Sequence, residues 1–453
     1  MRSGVRSPSA PPIFDNLPLI IVVSRLTEVQ LVSETINEQL QRRWHPFVRT
    51  AFRFAFVYFL LYNLPFPLSA IPYVDKSAEL YNSLWTWLVP RLARAAFNRE
   101  VSSVFNGSGD RTFDFLLVAC LLLISLVITI IWTFFDRKRI SYPTLYRWLN
   151  LYVRFSLGAT MIGYGAFKVI SSQFPPPSLD RLMQSYGDSS PMGLLWTFMG
   201  ASEPYTMFVG FAEMISGILL FPRKTSTLGA LMSVGVLSNV VALNFSYDVP
   251  VKLYSMHLLA MAIFLLLPDV RRLANFFILN RPAECVREQP LFRRTAWHRG
   301  ALVVASLFLI AVVGTSLYQS YNQRQNFISL RSPLYGIWEV EEFNLGQSTA
   351  SAQRWQRIIF DSPNRITVQT PVNPHERLGL QWDQEKRTLT LRKREDPSWN
   401  TVLTYEQVSP EVITLAGALN RSEMTARLRR SEERKFLLID RGFHWINEVP
   451  FNR

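Results

Sequence analysis

The chain has 453 residues, of which 49% are hydrophobic and 13% aromatic, and it carries a formal net charge of +14. A charge of this sign and size is compatible with nucleic-acid binding, but residues 333–453 hold 17 Lys and Arg against 16 Asp and Glu. The positive excess therefore lies further upstream, between long apolar runs. This distribution favours a membrane protein and excludes nucleic acid as a partner.

Seven apolar runs are candidate membrane-spanning helices. The clearest is Phe113 to Phe135. The first run along the chain, Phe52–Leu64, is short and contains Arg53, so it can span a membrane only together with the residues before it. The sequence thus predicts an α-helical polytopic membrane protein with about seven spans. The other six runs are Phe52–Leu64, Leu149–Ser172, Tyr205–Phe221, Leu228–Phe245, Leu253–Leu267 and Ala301–Tyr318.

The basic residues between these runs predict the orientation of the chain. Clusters at residues 137–139, 223–224 and 271–299 fall in alternate loops, as expected of cytoplasmic loops. The N-terminus is then cytoplasmic and the C-terminal domain external, in a multi-pass protein of the inner (cytoplasmic) membrane. The loop 65–112 is predicted to be external although it carries five Lys and Arg, because long loops weigh less in this rule.

The same pattern divides the chain into five segments. Residues 1–45 form a polar cytoplasmic arm with an amphipathic helix through Thr27–Gln41. Residues 46–140 hold two spans and an external loop, in which Ala78–Phe97 is an interfacial helix. Residues 141–280 form a four-helix bundle, residues 281–332 a basic connector and the last span, and residues 333–453 a β domain.

Cys120 and Cys285 lie in different compartments and are not expected to form a disulfide.

The bundle contains an external insertion, Gln173 to Pro204, with three successive prolines and the apolar segment 192–196. An insertion of this length usually has structure or function of its own. We therefore expect it to return to the bundle and cover it.

Charged residues inside two spans predict a buried polar site. Arg154 and Lys168 share one helical seam with Gly158 and Gly165, and Glu213 lies between Gly210 and Gly217 on another helix. Because a charge facing lipid is costly, these side chains should face protein. The spacing predicts an Arg154–Glu213 ion pair, with Lys168 nearer to Asp248 and Glu203.

Two interpretations of these charges remain open from the sequence. In the first, they line a polar pocket for a quinone head group or another small anionic or carbonyl ligand, where a cation stabilises negative charge and a carboxylate exchanges protons. In the second, they form a structural ion pair. The candidate ligand-binding residues are Arg154, Lys168, Glu213, Asn239, Asn244, Asp248, Lys252 and His257.

No cofactor motif accompanies these residues. His257 is the only histidine in a span, whereas a bis-imidazole haem needs two. It is interpreted either as a proton relay or as a hydrogen-bonded interfacial side chain, and Asn239 and Asn244 either bind ligand or join helices. No metal-ligand spacing, phosphate loop or catalytic triad order is found, so the catalytic residues stay unassigned.

Beyond Pro333, eight or nine short runs separated by turn residues predict an antiparallel β-barrel or sandwich. They are Tyr335–Phe343, Arg354–Asp361, Arg365–Thr370, Leu378–Asp383, Thr388–Arg392, Val402–Tyr405, Val412–Ala416, Met424–Leu428 and Phe436–Asn447. Gly336 and Trp338 resemble the G-x-W of a lipocalin-type barrel. Arg441, in the last run, is then expected to cap the indole of Trp338 by a cation–π contact.

The bundle resembles the DoxX-like family of membrane proteins in three places. These are Arg154, Gly158 and Lys168, then the G-x-x-E-x-x-x-G of Gly210, Glu213 and Gly217, and finally Asp248 with Lys252. The resemblance covers about a quarter of the chain, which adds further spans and a β domain to the family's four helices. It implies binding of a quinone or similar lipophilic molecule, as a subunit of a membrane oxidoreductase with a redox partner protein.

Whether the chain is itself catalytic stays open from the sequence. The alternative is a membrane-anchored binding or scaffold protein in which the β domain recognises a lipid or a protein. Membrane lipid is an expected partner under either hypothesis.

Overall fold

The computed structural model describes residues 43–67, 75–283, 294–329, 333–346, 354–393, 395–396, 398–420, 422–431 and 436–452. The predicted helix Thr27–Gln41 and Cys285 lie outside these residues. The chain divides into two compact units, one of Met1–Val104 with Arg111–Val153 and one of Phe105–Asp110 with Arg154–Arg453.

The helices of the described residues cover the seven predicted apolar runs and include further ones that no apolar run predicts. They are α1 (Pro46–Asn63), α2 (Asp75–Phe97), α3 (Thr112–Phe135), α4 (Pro143–Val169), α5 (Leu179–Leu182), α6 (Pro191–Ala201), α7 (Glu203–Leu220), α8 (Ser226–Ser246), α9 (Lys252–Leu266), α10 (Val270–Phe277) and α11 (Thr295–Ser329). Single 3₁₀ turns lie at Tyr186–Asp188, Arg223–Thr225 and Leu267–Asp269.

Four of the described helical segments are long and apolar enough to cross a membrane. They are Thr112–Phe135, Arg223–Ser246, Lys252–Phe277 and Thr295–Ile328. The remaining three predicted runs also form helices, namely α1, α4 and α7. These four segments make the chain compatible with a membrane.

In the first unit, the positive charge within the short apolar run of α1 is stabilised by hydrogen bonds. Arg53 is buried, and its guanidinium donates to Tyr142 Oη (2.6 and 2.9 Å), Thr133 Oγ1 (2.8 Å) and the carbonyl of Asp136 (2.8 Å). Tyr142 in turn donates to Asp136 Oδ2 at 2.8 Å. Because every partner is an oxygen within hydrogen-bonding distance, the buried cation is compensated.

In the second unit, glycines let α4 and α7 approach until their backbones touch. A Cβ on Gly165 would lie 2.6 Å from Met214 N and 2.7 Å from Gly210 O, and one on Gly217 would lie 2.8 Å from Gly158 O. Contacts this short leave no room for any side chain, as in small-residue crossings between membrane helices. The two helices are therefore antiparallel neighbours in a register set by their glycines.

We predict that Gly165→Ala destabilises the protein by about 1–3 kcal/mol, because the two helices must move apart to admit a methyl group. Gly163→Ala, two residues away, is the matched control: its Cβ would meet only Ser316 Oγ, at 3.9 Å. Thermal unfolding of the purified variants in one detergent measures both effects. Equal midpoints for the two variants would contradict the close crossing.

The C-terminal domain is a closed antiparallel barrel of eight strands in sequential order. The strands are β1 (Gly336–Leu345), β2 (Arg357–Ser362), β3 (Arg365–Gln369), β4 (Glu376–Asp383), β5 (Thr388–Arg392), β6 (Asn400–Ser409), β7 (Val412–Leu419) and β8 (Ser422–Arg430). Pairing of β1 with β8 closes the barrel, which removes free strand edges. Eight of the nine predicted runs are strands, and of the two predicted architectures the barrel is confirmed.

Apolar side chains fill the interior of the barrel. The side chains of Trp338, Ile358, Phe360, Leu391 and Leu428 are at most 1% exposed and belong to one buried cluster. Side chains commonly fill the interior of an eight-stranded barrel in this way.

The predicted cap of Trp338 by Arg441 is wrong. Trp338 is paired in register with Arg430, whose guanidinium lies 5.7 Å from the indole centroid. Arg441 lies outside the barrel strands, 3.8 Å from the ring centroid of Phe451. The reason is that Phe436–Asn447 is not a ninth strand: it begins with a short helix, α12 (Leu437–Asp440), and has no strand.

Candidate functional site

The central ion pair of the bundle joins α4 to α7. Lys168 Nζ lies 2.6 Å from Glu213 Oε2, and both residues are buried, with 6% and 3% of their surface exposed. The Lys168 ammonium also lies 5.6 Å from the ring centroid of Tyr164 and 6.0 Å from that of Phe174. The cation is thus compensated by one carboxylate and flanked by two aromatic rings.

The predicted Arg154–Glu213 pair is wrong, because the register of the two helices places Lys168 beside Glu213. The glycine contacts put Gly165 level with residues 210–214 of α7. Arg154 is then about 11 residues, or roughly 16 Å, further along α4, which is beyond side-chain reach of Glu213. Arg154 is buried, with its guanidinium 5.8 Å from the ring centroid of Phe155.

The prediction that Lys168 lies near Asp248 and Glu203 is also wrong, because both carboxylates have other partners. Asp248 pairs with Lys252 at 2.8 Å, and Glu203 pairs with Arg324 of α11 at 2.9 Å. Asp110 accepts hydrogen bonds from the backbone N–H groups of residues 252 and 253 and so caps α9. Asp248 and Lys252 therefore belong to the start of α9.

A cavity of about 350 Å³ lies against the Lys168–Glu213 pair. Of the predicted ligand-binding residues, four line it: Lys168, Glu213, Asn239 and Asn244. The other four, Arg154, Asp248, Lys252 and His257, are not among its lining residues. Asn244 donates to Ser255 Oγ at 3.0 Å, so its amide is partly used in joining α8 to α9.

His257 contacts its own helix, since its Nδ1 lies 2.6 Å from the carbonyl oxygen of Leu253, one turn earlier in α9. This contact fits the interpretation of a satisfied side chain better than that of a proton relay.

The rest of the cavity wall is mainly aromatic and aliphatic, and sequence reasoning had not assigned these residues to a site. Tyr164 and Met161 could have been found, because they precede Lys168 by one and two turns on the same face of α4. The insertion 173–204 contributes Phe174, Leu195, Trp196 and Met199 to the wall. The insertion thus covers the bundle, as expected.

Among the described residues, no group of three or more His, Cys, Asp or Glu side chains comes together that could hold a metal ion. The polar side chains in the cavity wall are the ammonium, the carboxylate and the two amides already named, together with Gln173, Ser255 and tyrosine hydroxyls.

A second polar cluster joins the insertion to the barrel. Asp180 of α5 is buried; its Oδ1 accepts from Thr367 Oγ1 at 2.5 Å and lies 2.6 Å from His375 Nε2, and its Oδ2 accepts from Arg377 at 3.0 Å. The backbone N–H of residue 180 donates to Asp361 Oδ2 at 2.9 Å. The insertion that lines the cavity is therefore bound directly to strands β2, β3 and β4 and to the turn before β4.

Burial alone would raise the pKa of Asp180. The neighbouring His375 ring, the hydrogen bond from Thr367 and the positive charge of Arg377 together outweigh burial and hold this pKa well below its usual range. Asp180 is therefore ionised throughout the physiological pH range, as a stable acceptor at the centre of the cluster.

Fold and site together define a class: a helical, membrane-compatible bundle with a buried ion pair in the wall of a cavity, followed by an eight-stranded barrel. The chain is similar to uncharacterized protein YwoB of Bacillus subtilis (strain 168), with 28% identity over 148 residues, which are 32% of this chain and 87% of that protein. No family model matches the chain. No solved structure matches it either.

Proposed function

We propose that this protein is an integral membrane protein that binds a quinone or a similar lipophilic small molecule in the cavity beside Lys168 and Glu213. The observation that carries the proposal is the position of the ion pair in the wall of a largely apolar cavity. Ion pairs that serve only to join helices do not need a cavity at their side. A volume of about 350 Å³ lies within the range of small-molecule sites.

The chemistry of the wall suits a carbonyl ligand. The Lys168 ammonium can donate a hydrogen bond to a carbonyl oxygen and stabilise negative charge there, and the Glu213 carboxylate can accept or return a proton. The amide of Asn239 supplies a further donor. The resemblance to DoxX-like proteins, whose namesake is a subunit of a thiosulfate:quinone oxidoreductase, supports a role as a subunit that works with a redox partner protein.

In this proposal α1, α4 and α7 cross the membrane together with the four apolar segments, which makes seven spans. Helix α4 has 27 residues and α7 has 18, or roughly 40 and 27 Å, enough to span or nearly span the hydrocarbon core. The charged residues in the interior of these two helices, Arg154, Lys168 and Glu213, are buried. The barrel is then external and the N-terminus cytoplasmic, in the inner membrane.

Titration with a short-chain benzoquinone analogue tests the proposal. In lipid nanodiscs, we expect the analogue to quench tryptophan fluorescence, and Trp196→Phe to remove much of the quenching because Trp196 lines the cavity. Lys168→Met combined with Glu213→Met should weaken binding by about tenfold or more, because the two charged partners of the ligand are gone.

The matched control is Glu203→Met combined with Arg324→Met, which removes an ion pair outside the cavity wall. This control should leave the affinity unchanged. The absence of any binding to the wild type, or equal binding by both double variants, would overturn the proposal.

A second candidate function is recognition of a lipid or protein by the C-terminal domain, with the bundle as an anchor. The observation that favours it is an exposed apolar segment after the barrel: the exposed fraction is 91% for Trp445 and 71–77% for Phe443, Ile446 and Val449. An intact protein that binds no quinone analogue would support this alternative.

A further inference from the structure

The cavity reaches the outer surface of the bundle between α7 and α8. Its inner end is the buried Lys168–Glu213 pair, whereas Phe208 on α7 is 69% exposed, and Gly235 and Asn239 on α8 are also exposed. A cavity lined by both buried and exposed residues is open at its exposed end. The opening therefore lies on the outer face of two neighbouring helices.

Two glycines of α8 show where this helix is closely packed and where it leaves open space. Near the connection between the two helices, a Cβ on Gly229 would lie 2.8 Å from the backbone of Leu219 and Leu220, so the helices are in close contact there. At Gly235, a Cβ would meet no atom within 4 Å. Position 229 is thus closely packed against α7, whereas the absence of a side chain at position 235 leaves the cavity wall open at that point.

The height of the opening decides what it faces. Gly235 lies near the midpoint of the apolar segment Arg223–Ser246. In a helix that crosses a bilayer, a residue at the midpoint and on the outer face is level with the acyl chains, far from the headgroups. The mouth of the cavity consequently faces hydrocarbon.

We infer that this opening is a lateral portal, and that the ligand is a lipid-borne amphiphile whose polar ring lies at Lys168–Glu213 while its alkyl or isoprenoid chain leaves between α7 and α8. The inference rests on the proposed function and adds the ligand's chemical class and route. An apolar chain that stays among acyl chains loses no hydrophobic stabilisation on binding. A ligand of this class enters and leaves without passing through water.

Closing the portal with a single side chain tests the inference. Gly235→Trp should weaken equilibrium binding of a benzoquinone with a ten-carbon chain by about tenfold or more, because the indole occupies the path of the chain. Binding of the same ring without a chain should change less than about twofold, since the inner end is untouched. The matched control is Gly314→Trp on α11, another exposed glycine at which a Cβ meets no atom within 4 Å.

The results separate failure of the portal from failure of the proposed function. If the chainless ring binds the wild type but Gly235→Trp weakens both ligands equally, or neither, the portal is wrong. If the chainless benzoquinone does not bind the wild type, both the proposed function and the inferred ligand class are wrong.

A spin label on Gly235→Cys, with Cys120→Ser and Cys285→Ser, tests the opening without any ligand. We expect the label to be more accessible to oxygen, which dissolves in hydrocarbon, than to a water-soluble nickel complex. The reverse order would overturn the lateral route whatever the titrations show.

Discussion

Glu213→Gln is expected to destabilise the protein by about 3–5 kcal/mol, because it leaves Lys168 buried without its counter-charge. Lys168 and Glu213 are only 6% and 3% exposed and lie 2.6 Å apart, so solvent cannot compensate the loss. The combination of Lys168→Met with Glu213→Met should recover most of the stability, since it removes both charges and keeps similar volumes. Unfolding in mixed micelles with increasing denaturing detergent measures these differences.

Glu203→Gln is the matched control for this prediction, as Glu203 forms an ion pair between α7 and α11 that is partly exposed. It should cost no more than about 1 kcal/mol. If Glu213→Gln proved as stable as this control, the Lys168–Glu213 pair would be accessible to solvent, which contradicts its burial in the structure. A double Met variant that is stable but binds no quinone analogue would separate the stabilising role of the pair from its proposed role in binding.

Asp180→Asn should detach the insertion from the barrel. The carboxylate accepts from Thr367 and Arg377 and lies beside His375, and an amide can offer only one accepting oxygen in its place. Loss of one member of a buried charged network typically costs about 3–5 kcal/mol. We expect the loss to appear as faster amide hydrogen exchange in residues 179–201, with the strands of the barrel still protected.

The same cluster should loosen in acid. The groups that face Asp180 are His375, Arg377 and Asp361 from the barrel, with Arg181 on its own helix and Arg365 close by. The pKa of Asp180 is lowered in the folded protein, so its ionised form contributes stability that is complete above the unfolded pKa and is lost as the pH falls towards the folded pKa. The contribution of Asp180 to protection of the insertion should therefore be complete at about pH 5 and decline below about pH 4.

Asp188→Asn provides the control for both measurements, because Asp188 lies in the same insertion but is exposed. It should leave exchange rates and their pH dependence unchanged. Equal exchange in the two variants, or an acid response that survives in Asp180→Asn, would show that Asp180 is not the residue that joins the insertion to the barrel.

Local patterns predicted most of the elements of this protein. Apolar runs of this length identify helices whatever the position of the helix in the fold, and period-two alternation identified eight strands of the barrel. The seam of Gly158, Gly165 and Lys168 correctly indicated the face of α4 that meets α7, because residues three and four apart lie on one face of a helix whatever its neighbour is.

Contacts between distant segments could not be predicted in the same way. The partner of Glu213 depends on how far α7 slides along α4, and a shift of about four turns exchanges Arg154 for Lys168. The cap on Trp338 depends on which residue of β8 lies opposite it, and closure of the barrel places Arg430 there. Asp180 gave no signal at all, as its partners are nearly two hundred residues away in the chain.

The sequence by itself determined the helices, the strands, the membrane-compatible character and the charges that had to be buried, because each follows from side-chain polarity repeated at the period of one element. Only the tertiary structure decided that Lys168 is the partner of Glu213, that a cavity lies beside them, and that the insertion is bound to the barrel. These features depend on register and on small gaps between packed helices, where a displacement of a few ångströms changes the partner and leaves the local pattern of the chain unaltered.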